Sequence, residues 1–320
     1  MLDRLFNSAR GDSARRMAIE FALSLGLIAV VALLPLIIDN PYWLGVIVVS
    51  MYFALLASGW NLLAGYTGLF SMAPATFAMI GAYTTGLLAH HWQVPGTLGI
   101  PASIVASGVI GALLGLVVMR LRGPYLALTT LSFAEIMRLV IGNSYGFTRG
   151  DLGLNVPDIF DARLAYYYLF VGVLAASQVG LYLLLRSRGG LFLQAIRDDE
   201  VAAASRGVHV VKWKTLAFTL STAVSGLAGA MYGHFSGLVS PEIGLIAQTG
   251  LVISMVVIGG IGSLIGPLVG AFLVYVSSEM LREVGGIQLI VFSLFVILIA
   301  RFYREGLWGL VKRFFRSSPA

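Results

Sequence analysis

The chain has 320 residues, of which 58% are hydrophobic and 11% charged, and its mean hydropathy is +0.90. That is too apolar for a soluble globular domain and marks an integral membrane protein. There is no cysteine, which excludes disulfides, thiolate metal sites and cysteine nucleophiles, and the net charge of +6 needs no nucleic acid to explain it, because cations gathered against anionic lipid account for it.

Arg4, Arg10, Arg15 and Arg16 precede the first apolar run, Met17 to Ile38. That run carries Glu20, exceeds a signal-peptide core in length and ends at DNPYW without a small-residue cleavage site, so it reads as a retained first helix. From Asn40 to Met119 there is no Asp, Glu, Lys or Arg. A span needs only about 20 apolar residues, so several are folded into this stretch. The runs do not alternate as barrel strands do, which leaves helices to satisfy the backbone, and the expected fold is an all-α polytopic membrane protein. Punctuation by Gly, Pro and charge gives about ten transmembrane helices: 17 to 38, 42 to 63, 68 to 89, 98 to 119, 124 to 141, 165 to 185, 215 to 237, 245 to 262, 266 to 281 and 286 to 302. Eight is the alternative if a glycine-rich stretch is re-entrant.

With the N-terminus in the cytoplasm, inside segments hold 17 of the 21 Lys and Arg. Outside segments hold Arg149, Arg163 and Arg282, and Arg138 lies within a span. This bias supports the orientation, an even number of spans and a cytoplasmic C-terminus. The expected organisation is a cytoplasmic segment over 1–16, a transmembrane domain over 17–302 with a cytoplasmic loop at 186–214, and a basic tail over 303–320 lying along the inner membrane surface.

Two apolar runs are broken by small residues at inside-facing boundaries, one by Gly65, Gly68, Ser71 and Pro74, the other by Gly259, Gly260, Gly262, Gly266 and Pro267. Paired interruptions can mark discontinuous helices lining a translocation pathway. Tight turns or close helix packing are the other reading. Glu135 and Arg138 lie three apart inside the fifth span and share a helix face, either as a structural ion pair or as groups that exchange with a zwitterionic substrate. The long outside connection, 142–164, is either a solvated loop or a contact surface for a soluble partner, with Arg149, Asp151 and Asp158 as rim charges. His90 and His91, beside Trp92, have no convergent acid for a metal site, and His234 reads as a satisfied polar residue near an outer helix end. No metal or cofactor is expected.

The most uncharacteristic stretch is QAIRDDEVAAASRGV, residues 194–208, within the longest inside loop. Apolar spacing predicts one short amphipathic helix from Leu191 to Arg206, ended by Gly207. Ala202, Ala203 and Ala204 would let another protein approach the backbone closely, while Arg197, Asp198, Asp199 and Glu200 would set its register through ion pairs. The alternative is a solvated loop helix whose charges keep it at the surface.

Glu200, Ala202, Ala203 and Gly207 together resemble the cytoplasmic coupling loop of ABC importer permeases, although Val201 separates the acid from the alanines. NLLAGYTGLFSMAPATFAMIGAYTTGLL (61–88), RLRGPYLALTTLSFAEIMRLV (120–140), TRGDLGLNVP (148–157), and GLAGAMYGHFSGLVSPE with VIGGIGSLIGPLVGA (226–271) resemble the branched-chain amino-acid permease family, LivM type. The similarity runs in order from about residue 40 to 300. It implies an importer in the bacterial inner membrane made of this chain, a second, LivH-like permease subunit, two cytoplasmic ATPase subunits and a periplasmic substrate-binding protein. Ala202, Ala203 and Gly207 would then touch the ATPase, oriented by the four charges. No GxxxxGK[ST] phosphate-binding loop is present, since Lys212, Lys214 and Lys312 follow Val, Trp and Val. ATP hydrolysis is therefore expected in partner subunits. The rival is a self-contained secondary carrier or channel, for which Glu20 and Glu135 are the intramembrane acids. Leucine, isoleucine and valine, other amino acids, amides and urea all stay open as substrates.

Overall fold

The computed structural model describes residues 2–121, 123–282 and 306–309. Its helices are α1 (Leu2–Leu33), α2 (Pro41–Ala64), α3 (Pro74–Trp92), α4 (Gly96–Val118), α5 (Pro124–Asn143), α6 (Tyr145–Thr148), α7 (Arg163–Arg186), α8 (Arg188–Asp198), α9 (Glu200–Ser205), α10 (Val210–Ser236), α11 (Ile246–Gly259) and α12 (Gly266–Met280). The first nine expected spans each fall on a helix, and the tenth, 286 to 302, lies outside the described residues. Among the described residues, six segments are long and apolar enough to cross a membrane: Arg15–Leu36, α2, α4, α5, α7 and α10. The chain is thus a multi-pass, all-α membrane protein.

Local chemistry sets the helix starts. The Asn40 side chain accepts from the Tyr42 N–H, with Pro41 opening α2. Pro74 and Pro124 open α3 and α5 in the same way, at positions where a missing N–H costs nothing. The third span begins six residues later than expected, because residues 65–73 form a turn in which Gly68 takes φ +73°. At 14 and 15 residues, α11 and α12 are about 21 and 22 Å long, less than a hydrocarbon core of about 30 Å. They pack as a hairpin so close that a Cβ on Gly270 would stand 1.9 Å from the Met255 carbonyl oxygen. The all-α expectation also omitted a short antiparallel ladder, β1 (Leu154–Asn155) against β2 (Leu238–Val239), with Leu154 opposite Val239.

The centre is built from α2 and α3, buried along most of their length, with α10 packed on α3 and α4. Trp60, Phe77 and Phe218 are fully enclosed there. Small residues permit the approach: a Cβ on Gly229 of α10 would lie 1.9 Å from the Ala78 carbonyl of α3. Such contact replaces the hydrophobic drive that lipid cannot supply between helices.

The connections sort into two ends. At one end Arg197 meets Gly65, Asn61 meets Gly262 and Ser263, and Glu20 meets Leu264. At the other, Tyr42 meets Glu279, His91 meets Phe147, and Pro157 meets His234. Segments expected on one side of the membrane therefore meet at one end of the bundle.

Candidate functional site

The loop between α7 and α10 folds as an elbow of two helices, not the single helix expected over 191–206. Ser187 caps α8, whose buried face of Gly189, Gly190, Leu193 and Ile196 turns toward the bundle. Asp199 then goes extended, at φ −159° and ψ 109°, and its carboxylate accepts from the Val201 and Ala202 N–H groups at 2.9 and 3.0 Å. An Asp competes for backbone donors in this way more readily than it continues a helix, so the charge run splits the helix. Gly207, at φ +86°, follows the end of α9 as expected.

The four charges expected to face a partner are engaged within this chain. Arg197 donates through Nη1 to the Gly65 carbonyl at 3.0 Å and through Nε and Nη2 to Asp198 at 3.0 and 2.9 Å. Glu200 accepts from Lys214 Nζ at 2.6 Å, with the Lys214 side chain 4% exposed and that of Glu200 33%. Sequence reading missed Lys214, although a lysine near the start of an apolar helix calls for a partner. The alanines also divide: Ala203 is 5% exposed and turned inward, while Ala202 and Ala204 remain exposed beside Val201. One helical face cannot carry three consecutive residues, so the outward patch is Val201, Ala202 and Ala204.

Both glycine-broken runs meet under this elbow. Asn61, in the last turn of α2, donates through Nδ2 to the Ser263 carbonyl and accepts the Gly262 N–H at Oδ1, both at 2.8 Å. A Cβ on Gly65 would lie 2.6 Å from Gly262 N, so no larger residue fits between these turns. Gly68 lies against Arg197, and the Ser71 carbonyl accepts from the Trp60 indole at 2.7 Å. Pro74 opens α3, Gly259 packs on Gly266, and Pro267 opens α12. Turns and close packing therefore explain the glycines directly. Asn61 was missed as well; a buried amide in an apolar helix is the signal that could have found it.

Glu20 sits at this same end, where it accepts from the Leu264 N–H at 3.1 Å and the Trp308 indole at 2.8 Å. Trp308 thus ties the described part of the tail, 306–309, to α1. Burial, followed by the nearby Glu20 charge, pushes the Tyr66 phenol up. A cleft of about 560 Å³ opens between residues 67–70, the α4–α5 connection and the elbow, lined by Phe70, Leu121, Pro124, Arg197, Val201 and Lys214.

The remaining candidates lie away from this junction. Glu135 and Arg138 pair with each other, Nη2 to Oε1 at 2.5 Å and Nε to Oε2 at 3.1 Å, on a partly exposed face of α5. Arg149, Asp151 and Asp158 are exposed at the opposite end. There His91 donates from Nε2 to the Phe147 carbonyl at 3.0 Å. His234 is buried with both ring nitrogens engaged: Nδ1 donates to the Pro157 carbonyl at 2.9 Å, which leaves Nε2 to accept from the Thr85 hydroxyl at 2.7 Å.

The family model described as "Branched-chain amino acid transport system / permease component" matches residues 42–300, a range that runs from the second residue of α2 past the end of α12. The chain belongs to this family. The permease is 30% identical over 293 residues to the high-affinity branched-chain amino acid transport system permease protein LivM of Salmonella typhimurium, covering 82% of this chain and 69% of that one. Against LivM of Escherichia coli K12 it is 29% identical over 317 residues, covering 88% and 75%. LivH of Salmonella typhimurium is also similar, 25% identical over 265 residues, covering 74% and 83%. No solved structure matches the permease.

Proposed function

We propose that this permease is a transmembrane subunit of an ATP-driven importer of branched-chain or related amino acids in the bacterial inner membrane. The family match across 42–300 is the observation that carries this reading. Similarity to both LivM and LivH supports a partner permease of the same architecture, the two chains together enclosing the path. The bundle has about ten spans with both termini inside, residues 1–16 and 303–320 flank the transmembrane domain, and the 186–214 loop faces the cytoplasm.

Within that assembly, two ATPase subunits press on the exposed face of the elbow, with Val201, Ala202 and Ala204 as the contact and Gly207 as the exit. Arg197, Asp198, Asp199 and Glu200 hold the elbow in shape. A displacement there rocks the helices and alternates access. The turns containing Gly65, Gly68, Ser71, Pro74, Gly259, Gly262 and Pro267 form the inner gate, and Glu135 with Arg138 faces the partner permease. A periplasmic binding protein docks on the rim that carries Arg149, Asp151 and Asp158.

The test is reconstitution in vesicles with and without the ATPase subunits. Leucine accumulation is expected only with ATPases, ATP and binding protein present. Uphill transport by the permease alone would establish the carrier reading instead.

A further inference from the structure

The elbow is tied to the bundle by one hydrogen-bonded series. Arg197 Nη1 donates to the Gly65 carbonyl at 3.0 Å, and the Gly65 N–H donates to the Asn61 carbonyl at 2.8 Å. The Asn61 side chain then spans to the α11–α12 turn, with one bond to the Ser263 carbonyl and one from the Gly262 N–H. Two residues beyond Gly262, Leu264 donates its N–H to Glu20 of α1. Four segments distant in sequence are therefore linked at one level of the bundle.

Each of these links has a backbone atom on at least one side, which every residue supplies. Arg197, Asn61 and Glu20 contribute side chains, of which Asn61 alone both donates and accepts in the series, and it is 3% exposed. Its position requires one terminal group that donates and accepts together: Asp only accepts and Leu does neither. Breaking either bond leaves a buried polar group unsatisfied, so relative movement of the two turns is opposed at this residue. The glycine contact between Gly65 and Gly262 leaves no slack for them to slide.

We infer that Asn61 is a positioning residue that makes α2 and the α11–α12 hairpin move with the elbow, a role that rests on the elbow being the ATPase contact. Arg197 passes displacement of α8 and α9 to the end of α2. Asn61 passes it to the turn at 262–263, and so to both short helices. Without Asn61 the elbow still moves, but the hairpin no longer follows.

The test uses the full complex, with partner permease, ATPases and binding protein, in vesicles where leucine uptake and ATP hydrolysis are measured together. Asn61→Leu, which keeps the side-chain size, is expected to lower uptake per ATP hydrolysed by roughly tenfold, within the range of typical coupling between sites. Arg197→Gln should lower that ratio comparably, and the double variant no further, because both changes break one series. A wild-type ratio in the assembled single variants, as a merely structural Asn61 would give, overturns the proposal, as does a double variant whose losses multiply. Should Asn61→Leu fail to assemble, Arg197→Gln decides by its ratio alone, since that side chain is 39% exposed. Absence of ATP-driven uptake by the wild-type complex would instead sink the importer reading, so the two failures are distinct.

Discussion

Lys214 and Glu200 form a lopsided pair, one side chain 4% exposed and the other 33%. Removing the carboxylate strands a buried cation, whereas removing the lysine leaves an acid that can turn to water. Glu200→Ala is therefore expected to cost about 3–5 kcal/mol and Lys214→Met distinctly less, with the double variant recovering most of the loss. Thermal unfolding in detergent reads the order, and equal losses from the two single variants would contradict it. The alanines give a second contrast. Ala203→Asp would place an unpaired carboxylate inside the protein, so the expected outcome is a loss of stability and not a clean loss of coupling. Ala202→Asp, on the exposed side, should leave unfolding unchanged and weaken binding of the ATPase subunits in a pull-down. The run of three alanines was legible in the sequence, but that Ala203 turns inward while Ala202 and Ala204 stay exposed was not.

Element by element, sequence periodicity located helices where the apolar runs were long and bounded by Pro or Gly, and it misread the elbow because the apolar spacing of α8 and α9 stays continuous across Asp199. A capping side chain is a local competitor that periodicity does not weigh. The same limit applies to the glycines. A Gly in an apolar run signals a turn, a packing contact or a path lining alike, and only the neighbour distinguishes them. At Gly229 that neighbour is a backbone carbonyl, 1.9 Å from where a Cβ would stand, so relief requires the two helices to separate. Gly229→Ala is expected to destabilise the permease by about 1–3 kcal/mol. Gly172, with open space around its Cβ position, is the matched control, and Gly172→Ala should leave the melting temperature at or above the wild-type value. Equal melting temperatures for the two variants would refute the close α3–α10 approach.

At the scale of the whole molecule, the two ends of the bundle carry different chemistry. One has the elbow, its ion pairs and the buried junction; the other has the β1–β2 ladder and the exposed charges Arg149, Asp151 and Asp158. Because the permease has no native cysteine, introduced ones are unique reporters. Asp158→Cys and Asp198→Cys should react with a membrane-impermeant maleimide from opposite faces, Asp158→Cys in intact cells and Asp198→Cys only in inverted vesicles. Labelling of both from one face would overturn the sidedness.

The sequence by itself determined the solvent, the long apolar helices and the family. Hydrophobic length is a one-dimensional property, and the motifs from 61 to 271 are contiguous strings. Only the tertiary structure decided how the charge run is spent, because Arg197 finds Gly65 across 132 residues and Asn61 finds Ser263 across 202. Such bonds depend on directed geometry between segments that no local pattern encodes, and they tie a charge run whose Arg197, Asp198 and Asp199 stay exposed to the bundle beneath it.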